Sequence, residues 1–350
     1  MAIPIQNIYY LLSYAWDKLD TAEALDVNAS DYHDSLNLLA RVMVNASRHI
    51  CKKGLNKEYL SVTQEYSGIK GKINFRDSLN RNLFAQGKAI CDFDEFTPDV
   101  LQNQIIKTTL RNLMKTQLLD LQLESEVRDL FYRFHGIEEI DLRKQHFSQV
   151  VIHRNNQHYD FVLNISSLIY ENTVLNEDTG DYRFKEFTRD PKAMAALFEK
   201  FVYNFYGKEQ SFYKVRREDI HWSADPLGSS SRSLLPKMQT DITLESEEHK
   251  LIIDTKYYKD TLSENYGSEK FHSGNLYQLH SYLTNVEKDD RNKNNACCDG
   301  MLMYPTTQKE IDVAYQIGDH KLRLATVNLD EDWGLIHDRL LELLNFNKFN

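Results

Sequence analysis

The stretch that decides the fold spans residues 236–256 and reads PKMQTDITLESEEHKLIIDTK. Two β-rich runs flank a polar segment in this stretch, and the pattern predicts a hairpin. Asp241 lies within the first run, although Asp is rare inside strands. Asp254 and Lys256 end the second run, where the alternation of side chains places both on one face of the strand and turns Thr255 away.

Two carboxylates and a lysine at the ends of paired strands indicate a metal site for phosphodiester hydrolysis. Mg²⁺ prefers one or two carboxylates and fills its other positions with water and phosphate oxygens. The bound ion lowers the pKa of its water and polarises the phosphoryl oxygen, while Lys256 would orient the nucleophile or offset charge in the transition state. The alternative is a solvent-facing hairpin with scattered charges, because two aspartates and a lysine at this spacing form a loose pattern.

Composition favours a globular, cytoplasmic protein. The chain has 350 residues, of which 41% are hydrophobic, and this length is sufficient for two domains. No apolar run approaches the roughly 18 residues of a membrane span, and the first residues do not have the pattern of a secretory signal. The four cysteines form no C-x-x-C pair, so we expect reduced thiols and neither a disulfide framework nor a zinc site.

The net charge and the absence of a nucleotide-binding motif limit the functions that this chain can perform without a partner. The formal net charge is −10, which argues against strong general binding to nucleic acid, because neutralisation of phosphates supplies most nonspecific affinity. The pattern G-x-x-x-x-G-K-[ST] occurs nowhere in the chain, so no P-loop is encoded. The acidic charge therefore suggests that a partner delivers the DNA.

The first half of the chain predicts helices with two strands between them. Apolar spacing predicts helices at 8–15, 36–49, 98–113 and 124–135. Alternation at 60–64 predicts a strand, the glycine-bracketed segment 68–75 predicts a turn into another strand, and the acidic segment 91–99 predicts a loop. Residues 137–156 are irregular and polar, and we place the domain boundary at their end, between residues 157 and 158.

The second half predicts a mixed α/β arrangement. Asp190 and Pro191 mark the start of a helix as N-cap and first residue. The hairpin follows, and then a helix at 275–283 places Gln278 and Tyr282 on one face, since they are four residues apart. Apolar runs predict strands at 300–304, 311–317 and 321–328, and a terminal amphipathic helix at 333–344.

The turn at 68–72 is short and basic, and its lysines are Lys70 and Lys72. Glycines allow its backbone to approach another chain closely. Two interpretations remain open from the residues alone. The turn is either an ordinary exposed hairpin tip, or a basic finger that contacts a partner.

The order of the charged residues resembles a nuclease superfamily. A helical Glu199, then Asp241, then Asp254-Thr255-Lys256 resembles the PD-(D/E)xK pattern, and Q-x-x-x-Y at 278–282 is similar to that of its RecB-type members. The residue before Asp241 is Thr240 where the pattern has Pro, which leaves the carboxylate in place.

Four blocks are similar to the McrC family, the nuclease subunits of McrBC modified-cytosine restriction systems. They read IPIQNIYY at 3–10, GIKGKI at 68–73, NQIIK at 103–107 and KFHSGNLYQL at 270–279. The resemblance implies an α+β N-terminal stalk or finger domain, 1–157, which enters the ring of an AAA+ GTPase resembling McrB and stimulates it. It implies an α/β PD-(D/E)xK domain, 158–350, with a mixed central sheet flanked by helices, which cuts double-stranded DNA containing modified cytosine.

The resemblance also implies roles for individual residues. Asp241 and Asp254 would bind Mg²⁺ with the Thr255 carbonyl, and Lys256 would position water or stabilise the transition state. Glu199 would reach a metal through water or hold the Lys256 amine. The remaining catalytic candidates, Gln278 and Tyr282, would orient the site or contact the DNA backbone, and the partner contacts would be Lys70 and Lys72.

GTP would be bound by the partner, in a system of antiphage defence. The alternative function is a non-enzymatic adaptor with a silent nuclease fold, which activates an NTPase motor. The intact set of carboxylates and lysine argues against it.

Overall fold

The fold is taken from a computed structural model of the chain. The structure describes residues 3–16, 34–116, 118–175, 182–227, 232–258, 263–265, 268–289, 291–307 and 310–345. Within these ranges no helix is both long enough and apolar enough to cross a membrane.

The described helices are α1 (Ile5–Ala15), α2 (Ser35–Lys53), α3 (Phe75–Asn80), α4 (Leu101–Met114), α5 (Leu121–Arg133), α6 (Lys144–Gln149), α7 (Tyr159–Asn172), α8 (Pro191–Glu209), α9 (Ser273–Glu287) and α10 (Trp333–Glu342). The described strands are β1 (Glu58–Ser67), β2 (Lys72–Ile73), β3 (Lys88–Thr97), β4 (Thr173–Leu175), β5 (Tyr182–Phe184), β6 (Lys214–Arg216), β7 (Asp219–Ile220), β8 (Met238–Gln239), β9 (Ile242–Glu245), β10 (Lys250–Thr255), β11 (Ser263–Asn265), β12 (Ser268–Lys270), β13 (Asp299–Thr306), β14 (Asp312–Ile317) and β15 (His320–Asn328).

The chain forms two compact units, and their limits differ from the predicted boundary at 157/158. One unit combines residues 1–35 with 186–350, and the other comprises 36–185. The first helix therefore belongs with the C-terminal half. Its Asn7 donates hydrogen bonds from Nδ2 to the carbonyls of Leu329, at 2.9 Å, and Glu331, at 2.8 Å. Local periodicity cannot reveal such pairing, because the partners lie more than three hundred residues further along the chain.

The unit of residues 36–185 contains a three-stranded sheet in the order β1-β3-β2. The long antiparallel pair runs from Glu58 opposite Thr97 to Ser67 opposite Lys88. Strand β1 exposes both of its faces, since only Val62 is even half-buried. The buried residues of this sheet are Ala89, Ile90 and Cys91 at the start of β3, so β1 itself adds little apolar burial.

Strand β3 corrects the prediction of an acidic loop at 91–99. The acidic side chains are accommodated because the neighbouring strand supplies hydroxyl donors. Ser61 donates to Asp94 and Thr63 donates to Asp92, each at 2.7 Å. The helix predicted from residue 98 begins instead at Leu101.

The turn between β1 and β2 requires one of its glycines. Gly71 has φ +68°, and a Cβ atom there would lie 2.4 Å from the carbonyl oxygen of Asp92. Only glycine tolerates this approach, so β2 can pair closely with β3. The predicted turn into a strand at 68–75 is confirmed, except that Phe75 already begins α3.

The other unit is built on a six-stranded mixed sheet in the order β14-β15-β13-β10-β9-β6. The central strands β10, β13 and β15 run parallel to one another, whereas β9 pairs antiparallel with β10. Every residue of β10 and β13 is buried, as expected for strands covered on both faces. The predicted hairpin is confirmed, with Lys250 opposite Glu245.

Helix α9 covers one face of this sheet at close range. A Cβ at Gly300 of β13 would lie 2.9–3.1 Å from side-chain atoms of Leu279 and Leu283, so the absence of a side chain permits the approach. Leu279 and Leu283 join Ile252, Leu302 and other buried residues in one apolar cluster. This packing fixes the helix that carries Gln278 and Tyr282 relative to the ends of the strands.

Helix α8 begins as predicted and packs against α1. The carboxylate of Asp190 accepts hydrogen bonds from the backbone N–H groups of Lys192 and Ala193, and Pro191 lies in the first turn. Aromatic side chains join the two helices, with the rings of Tyr14 and Phe201 edge to face at 5.7 Å. The helix therefore presents Glu199 from a rigid element.

Candidate active site

Asp241 lies in a break between two strands. The first β-rich run of the sequence is two short strands, β8 and β9, and Thr240 and Asp241 belong to neither. Thr240 bridges to Glu218 of the neighbouring segment through its backbone N–H, at 2.9 Å. Asp241 therefore does not contradict the rarity of Asp in strands, because it lies between two strands and not inside one.

Thr255 holds the carboxylate of Asp241 in place. Its backbone N–H and its hydroxyl both donate to Oδ2 of Asp241, at 2.8 and 3.0 Å. The alternation of the strand turns Thr255 away from the face of Asp254 and Lys256, and the Thr255 side chain meets Asp241 instead. The two donors orient one aspartate beside the strand that carries the other.

Asp254 is the buried carboxylate of the site. It is 1% exposed, and its Oδ1 accepts no hydrogen bond from any described residue. The pKa of this carboxyl is raised to about 6, mainly by burial. Lys256 opposes this rise, and the nearby Asp241 and Glu199 carboxylates add to it. A buried carboxylate oxygen without a donor is costly, and it is available to a cation.

Lys256 lies beside Asp254, as the alternation of the strand predicted. Its Nζ is 2.7 Å from Oδ2 of Asp254. Burial acts to lower the pKa of the amine, but the attraction of the Asp254 carboxylate, its hydrogen bond and the Asp241 carboxylate together hold the pKa above its ordinary value. The amine is therefore charged at neutral pH.

A chain of hydrogen bonds fixes the lysine from helix α9. The Lys256 amine donates to Oε1 of Gln278 at 3.0 Å. Gln278 donates from Nε2 to the Tyr282 hydroxyl at 2.8 Å, and that hydroxyl donates to the Gln239 carbonyl at 3.1 Å. Burial raises the pKa of Tyr282, which keeps its proton available for this chain. Because Gln278 and Tyr282 lie one helical turn apart, their side chains together connect helix α9 to Lys256 and to the segment of Gln239.

Glu199 is near the cluster but is engaged by an arginine. Its Oε1 accepts a hydrogen bond from Nη2 of Arg217 at 2.6 Å. Burial raises the pKa of Glu199, and the Asp241 carboxylate adds to this, whereas Arg217 and Lys256 lower it. The Lys256 amine contacts Asp254 and Gln278, so the predicted contact between Glu199 and that amine is not made.

The residues of the site fit a Mg²⁺ ion. The Oδ1 atom of Asp254, which accepts no hydrogen bond from the described residues, supplies one buried acceptor. Asp241 supplies a second carboxylate, which Thr255 holds beside the strand of Asp254. The described part of the chain holds no cluster of three or more His, Cys, Asp or Glu side chains close enough to bind a metal by themselves. Two carboxylates suit Mg²⁺, which leaves several positions to water and phosphate.

The structure brings most of the predicted site residues together and places two of them elsewhere. Asp241, Asp254, Thr255, Lys256, Gln278 and Tyr282 form one connected group, with Glu199 adjoining it. The sequence analysis missed Arg217, because no motif marks an arginine whose partner is 18 residues away.

Lys70 and Lys72 belong to the unit of residues 36–185. Both are exposed, but the Lys70 amine lies 3.8 Å from the ring centroid of Phe93 and 5.7 Å from that of Tyr66. Lys70 therefore packs on aromatic rings, while Lys72 stands in β2 opposite Asp92.

Fold and site together define a mixed α/β protein whose mixed sheet carries a carboxylate–lysine cluster at the end of paired strands. A family model for McrBC 5-methylcytosine restriction system components matches residues 6–305. Since this match covers more than half of the chain, the chain belongs to that family.

Two comparisons describe what the chain is similar to. The type IV methyl-directed restriction enzyme EcoKMcrBC of Escherichia coli (strain K12) is 36% identical over 343 residues, which are 98% of this chain and 97% of the relative. A solved chain from a half-complex of Thermococcus gammatolerans McrB AAA+ hexamers with bound McrC matches with a TM-score of 0.56 at 15% identity. That match covers 98% of this chain and 76% of the solved one. At this identity, the solved chain supports a likeness of fold alone.

Proposed function

We propose that this chain is the DNA endonuclease subunit of a GTP-dependent restriction complex specific for modified cytosine. The observation that carries the proposal is the connected cluster of Asp241, Asp254 and Lys256, which is fixed by Gln278 and Tyr282. A silent nuclease fold would have no need for a buried aspartate oxygen without a donor beside a charged lysine. Membership in the restriction family adds support.

In this proposal the unit of residues 1–35 and 186–350 carries a PD-(D/E)xK nuclease site. Asp241 and Asp254 would hold Mg²⁺, with the Thr255 carbonyl as a further ligand. When bound, the ion supplies an activated water and polarises the phosphoryl oxygen of the substrate. Lys256 stabilises negative charge as it develops on the phosphoryl group, because its amine is preorganised by Asp254 and Gln278.

The outer residues of the site position the inner ones. Gln278 and Tyr282 keep the Lys256 amine aimed at the strand ends. Gln278 is exposed on α9, where a DNA backbone would pass, whereas Tyr282 is buried beneath it. Arg217 forms an ion pair with Glu199, and the Glu199 carboxylate would help to orient water at the site.

The raised pKa of Asp254 predicts a pH dependence of cation binding. Because the ion binds the carboxylate, the Ca²⁺ affinity of the chain should be constant above about pH 7 and fall through pH 6, approaching tenfold per pH unit below it. Ca²⁺ serves as a non-catalytic probe in isothermal titration. An affinity that stays constant down to about pH 4.5 would show an ordinary carboxyl and contradict the assignment of Asp254.

The partner we infer is a ring-forming AAA+ GTPase resembling McrB, which binds GTP and delivers double-stranded DNA with modified cytosine. The solved chain of similar fold comes from an assembly with such hexamers. The partner surface would be the exposed sheet of the unit 36–185. Large apolar side chains stand exposed there, among them Tyr66, Ile69, Phe75 and Phe84, and a cluster of this kind marks an interaction surface.

Charge reversal at the tip of this sheet should weaken the complex. We expect Lys70→Glu with Lys72→Glu to lower stimulated GTP turnover and partner affinity by roughly tenfold, since rim charges steer and orient association. DNA cleavage would fall only as a consequence. GTP hydrolysis and size-exclusion chromatography of the complex measure both effects.

The matched control is Arg128→Glu with Lys144→Glu, which changes the net charge equally on exposed helices of the same unit. Circular dichroism should show that the Lys70 variant folds, because Lys70 also contacts Phe93. Equal GTP turnover in the two double variants would assign the segment to an ordinary surface turn.

The remaining parts of the proposal concern the setting of the reaction. We place the complex in the cytoplasm, where it would cut invading phage DNA. The four cysteines are free, which agrees with a reducing compartment. The N-terminal stalk or finger function, predicted for residues 1–157, is assigned to the unit of residues 36–185.

A further inference from the structure

The unit of residues 36–185 contains a cleft of about 640 Å³ that the nuclease reaction does not use. It lies where α2 ends and β1 begins, and residues shortly before α7 complete it. The side chains and backbone that line it belong to Lys53, Gly54, Leu55, Asn56, Lys57, Phe96, Arg154, Asn155 and His158. Its volume is in the range of clefts that hold small organic ligands, of roughly 300–1,000 Å³.

The charge of this cleft is opposite to that of the chain. Lys53, Lys57 and Arg154 line it, and no Asp or Glu is among its described lining residues, although the whole chain carries a net charge of −10. Within the described ranges, no carboxylate lies within ion-pair distance of these three cations. The nearby carboxylate of Glu58 instead accepts hydrogen bonds from Asn56, at 2.9 Å, and Gln102, at 2.7 Å. Uncompensated cations in a concave site attract anions.

The ring of Phe96 lines the same cleft, and the ring of Tyr59 packs against it. Phe96 is 55% exposed and Tyr59 is 73% exposed. The two residues face each other across β1 and β3, with ring centroids 4.9 Å apart, and the Lys57 amine lies over the Phe96 ring at 5.8 Å. Large rings are normally buried, so a pair of exposed rings beside unpaired cations is a platform on which flat groups can stack.

We propose that this cleft binds a nucleotide segment of single-stranded DNA. The phosphates lie on Lys53, Lys57 and Arg154, and a base stacks on the Tyr59 and Phe96 rings. Cations that follow a backbone, combined with aromatic side chains that accept any base, are the combination that single-strand binding sites use. An acidic peptide would use the cations but would leave the two rings without a role.

The cleft is separate from the other sites of the molecule. All of its lining residues lie in the unit 36–185, whereas the Asp254 cluster lies in the other unit. It also lies at the opposite end of the β1–β3 ladder from the turn with Lys70. Tyr59 pairs with Phe96 at one end, and Ser67 pairs with Lys88 at the other. Eight residues of strand separate these ends, a distance of about 27 Å.

The test measures binding of the full-length chain to a fluorescein-labelled oligo-dT of about 12 nucleotides, within the range of known single-strand sites. Fluorescence anisotropy is recorded in EDTA, so that binding is read without any divalent cation. Failure here therefore says nothing about the nuclease proposal, and failure of the nuclease proposal leaves this result unaffected.

The charge arm uses Lys53→Glu with Lys57→Glu and Arg154→Glu. We expect affinity to fall by tenfold or more, and the slope of log affinity against log salt to fall by about 2, at roughly 0.7 for each lost phosphate contact. The control is Arg76→Glu with Arg81→Glu and Lys144→Glu. It changes the net charge equally on exposed residues outside the cleft and should keep the wild-type slope.

The aromatic arm uses Tyr59→Ala against Tyr132→Ala, an equally exposed tyrosine on α5. Loss of one stacking ring should weaken binding about 5- to 100-fold and leave the salt slope unchanged. Equal affinity and slope in the two triple variants would overturn the proposal, and so would equal affinity in the two tyrosine variants.

Two competitors distinguish a single strand from a duplex and from a free nucleotide as the ligand of the cleft. A duplex of the same length and dTMP should each displace the labelled strand at least tenfold less well than unlabelled oligo-dT. Equal competition by dTMP would assign the cleft to a free nucleotide, and equal competition by duplex would assign it to the double helix. Either result would overturn the single-strand assignment.

Discussion

Replacing Asp254 with Asn is expected to reduce double-strand cleavage by about 10³-fold or more and to leave stimulated GTP hydrolysis unchanged. The carboxylate is buried and its Oδ1 has no donor among the described residues, so an amide of the same shape removes a metal ligand, together with the negative charge beside the Lys256 amine. A loss of 10³ corresponds to about 4 kcal/mol of transition-state stabilisation, which is within what a lost catalytic metal removes. The measurement is the rate of double-strand breaks with partner, GTP, Mg²⁺ and methylated DNA.

Loss of cleavage should not be a consequence of unfolding. The folded-state pKa of Asp254, about 6, lies above the ordinary value of 3.8 for an aspartate carboxyl. Such a carboxyl favours folding below the unfolded pKa, and that contribution is lost as pH rises through about 6. Asn does not titrate, so the variant does not lose stability as the pH rises through 6. At pH 8 the variant should therefore melt no lower than the wild type. The control Asp219→Asn removes a half-exposed carboxylate of β7 and should cut normally.

The second large effect is expected for Lys256→Gln, which should lower cleavage by about 10²–10³-fold. The amine is held by Asp254 and Gln278, and its charge matters most as the phosphoryl transition state develops. Calcium binding should persist at pH 8. Without the lysine the pKa of Asp254 rises further, so the drop in Ca²⁺ affinity should move to higher pH.

One titration series can separate an effect of Lys256 on the transition state from an effect of Lys256 on the structure of the metal site. Isothermal titration with Ca²⁺ at pH 8 and at pH 6 compares Lys256→Gln with Lys237→Gln, whose lysine forms an exposed ion pair with Asp219. The Lys237 variant should behave as the wild type in both binding and cleavage. Calcium binding that disappears at pH 8 in Lys256→Gln would show that the lysine builds the site rather than serving the transition state.

Local rules were sufficient for the elements that carry the site. Apolar and β-branched runs predicted the hairpin, and alternation predicted that Asp254 and Lys256 share a face, as their 2.7 Å ion pair shows. Helical spacing predicted that Gln278 and Tyr282 are neighbours, and their side chains are joined at 2.8 Å. These features depend on residues close together in the sequence.

Features that depend on distant partners were not predictable. The acidic strand β3 forms because Ser61 and Thr63 of another strand donate to its carboxylates. Helix α1 joins the C-terminal half because Asn7 finds backbone carbonyls beyond residue 328. The contact of Thr255 with Asp241 was not predictable, because it depends on the strand break at residues 240–241, which brings that carboxylate back to β10.

Cleavage by the reconstituted complex tests the central claim most directly. The wild-type chain and Asp254→Asn are each mixed with the McrB-like GTPase, GTP, Mg²⁺ and DNA containing 5-methylcytosine, and double-strand breaks and GTP turnover are followed together. The proposed function predicts double-strand breaks in the mixture that contains the wild-type chain and none in the mixture that contains Asp254→Asn. Both chains should stimulate GTP turnover equally. Stimulated GTP turnover without breaks by the wild type would show a silent adaptor, and breaks by Asp254→Asn at the wild-type rate would place the hydrolytic centre elsewhere.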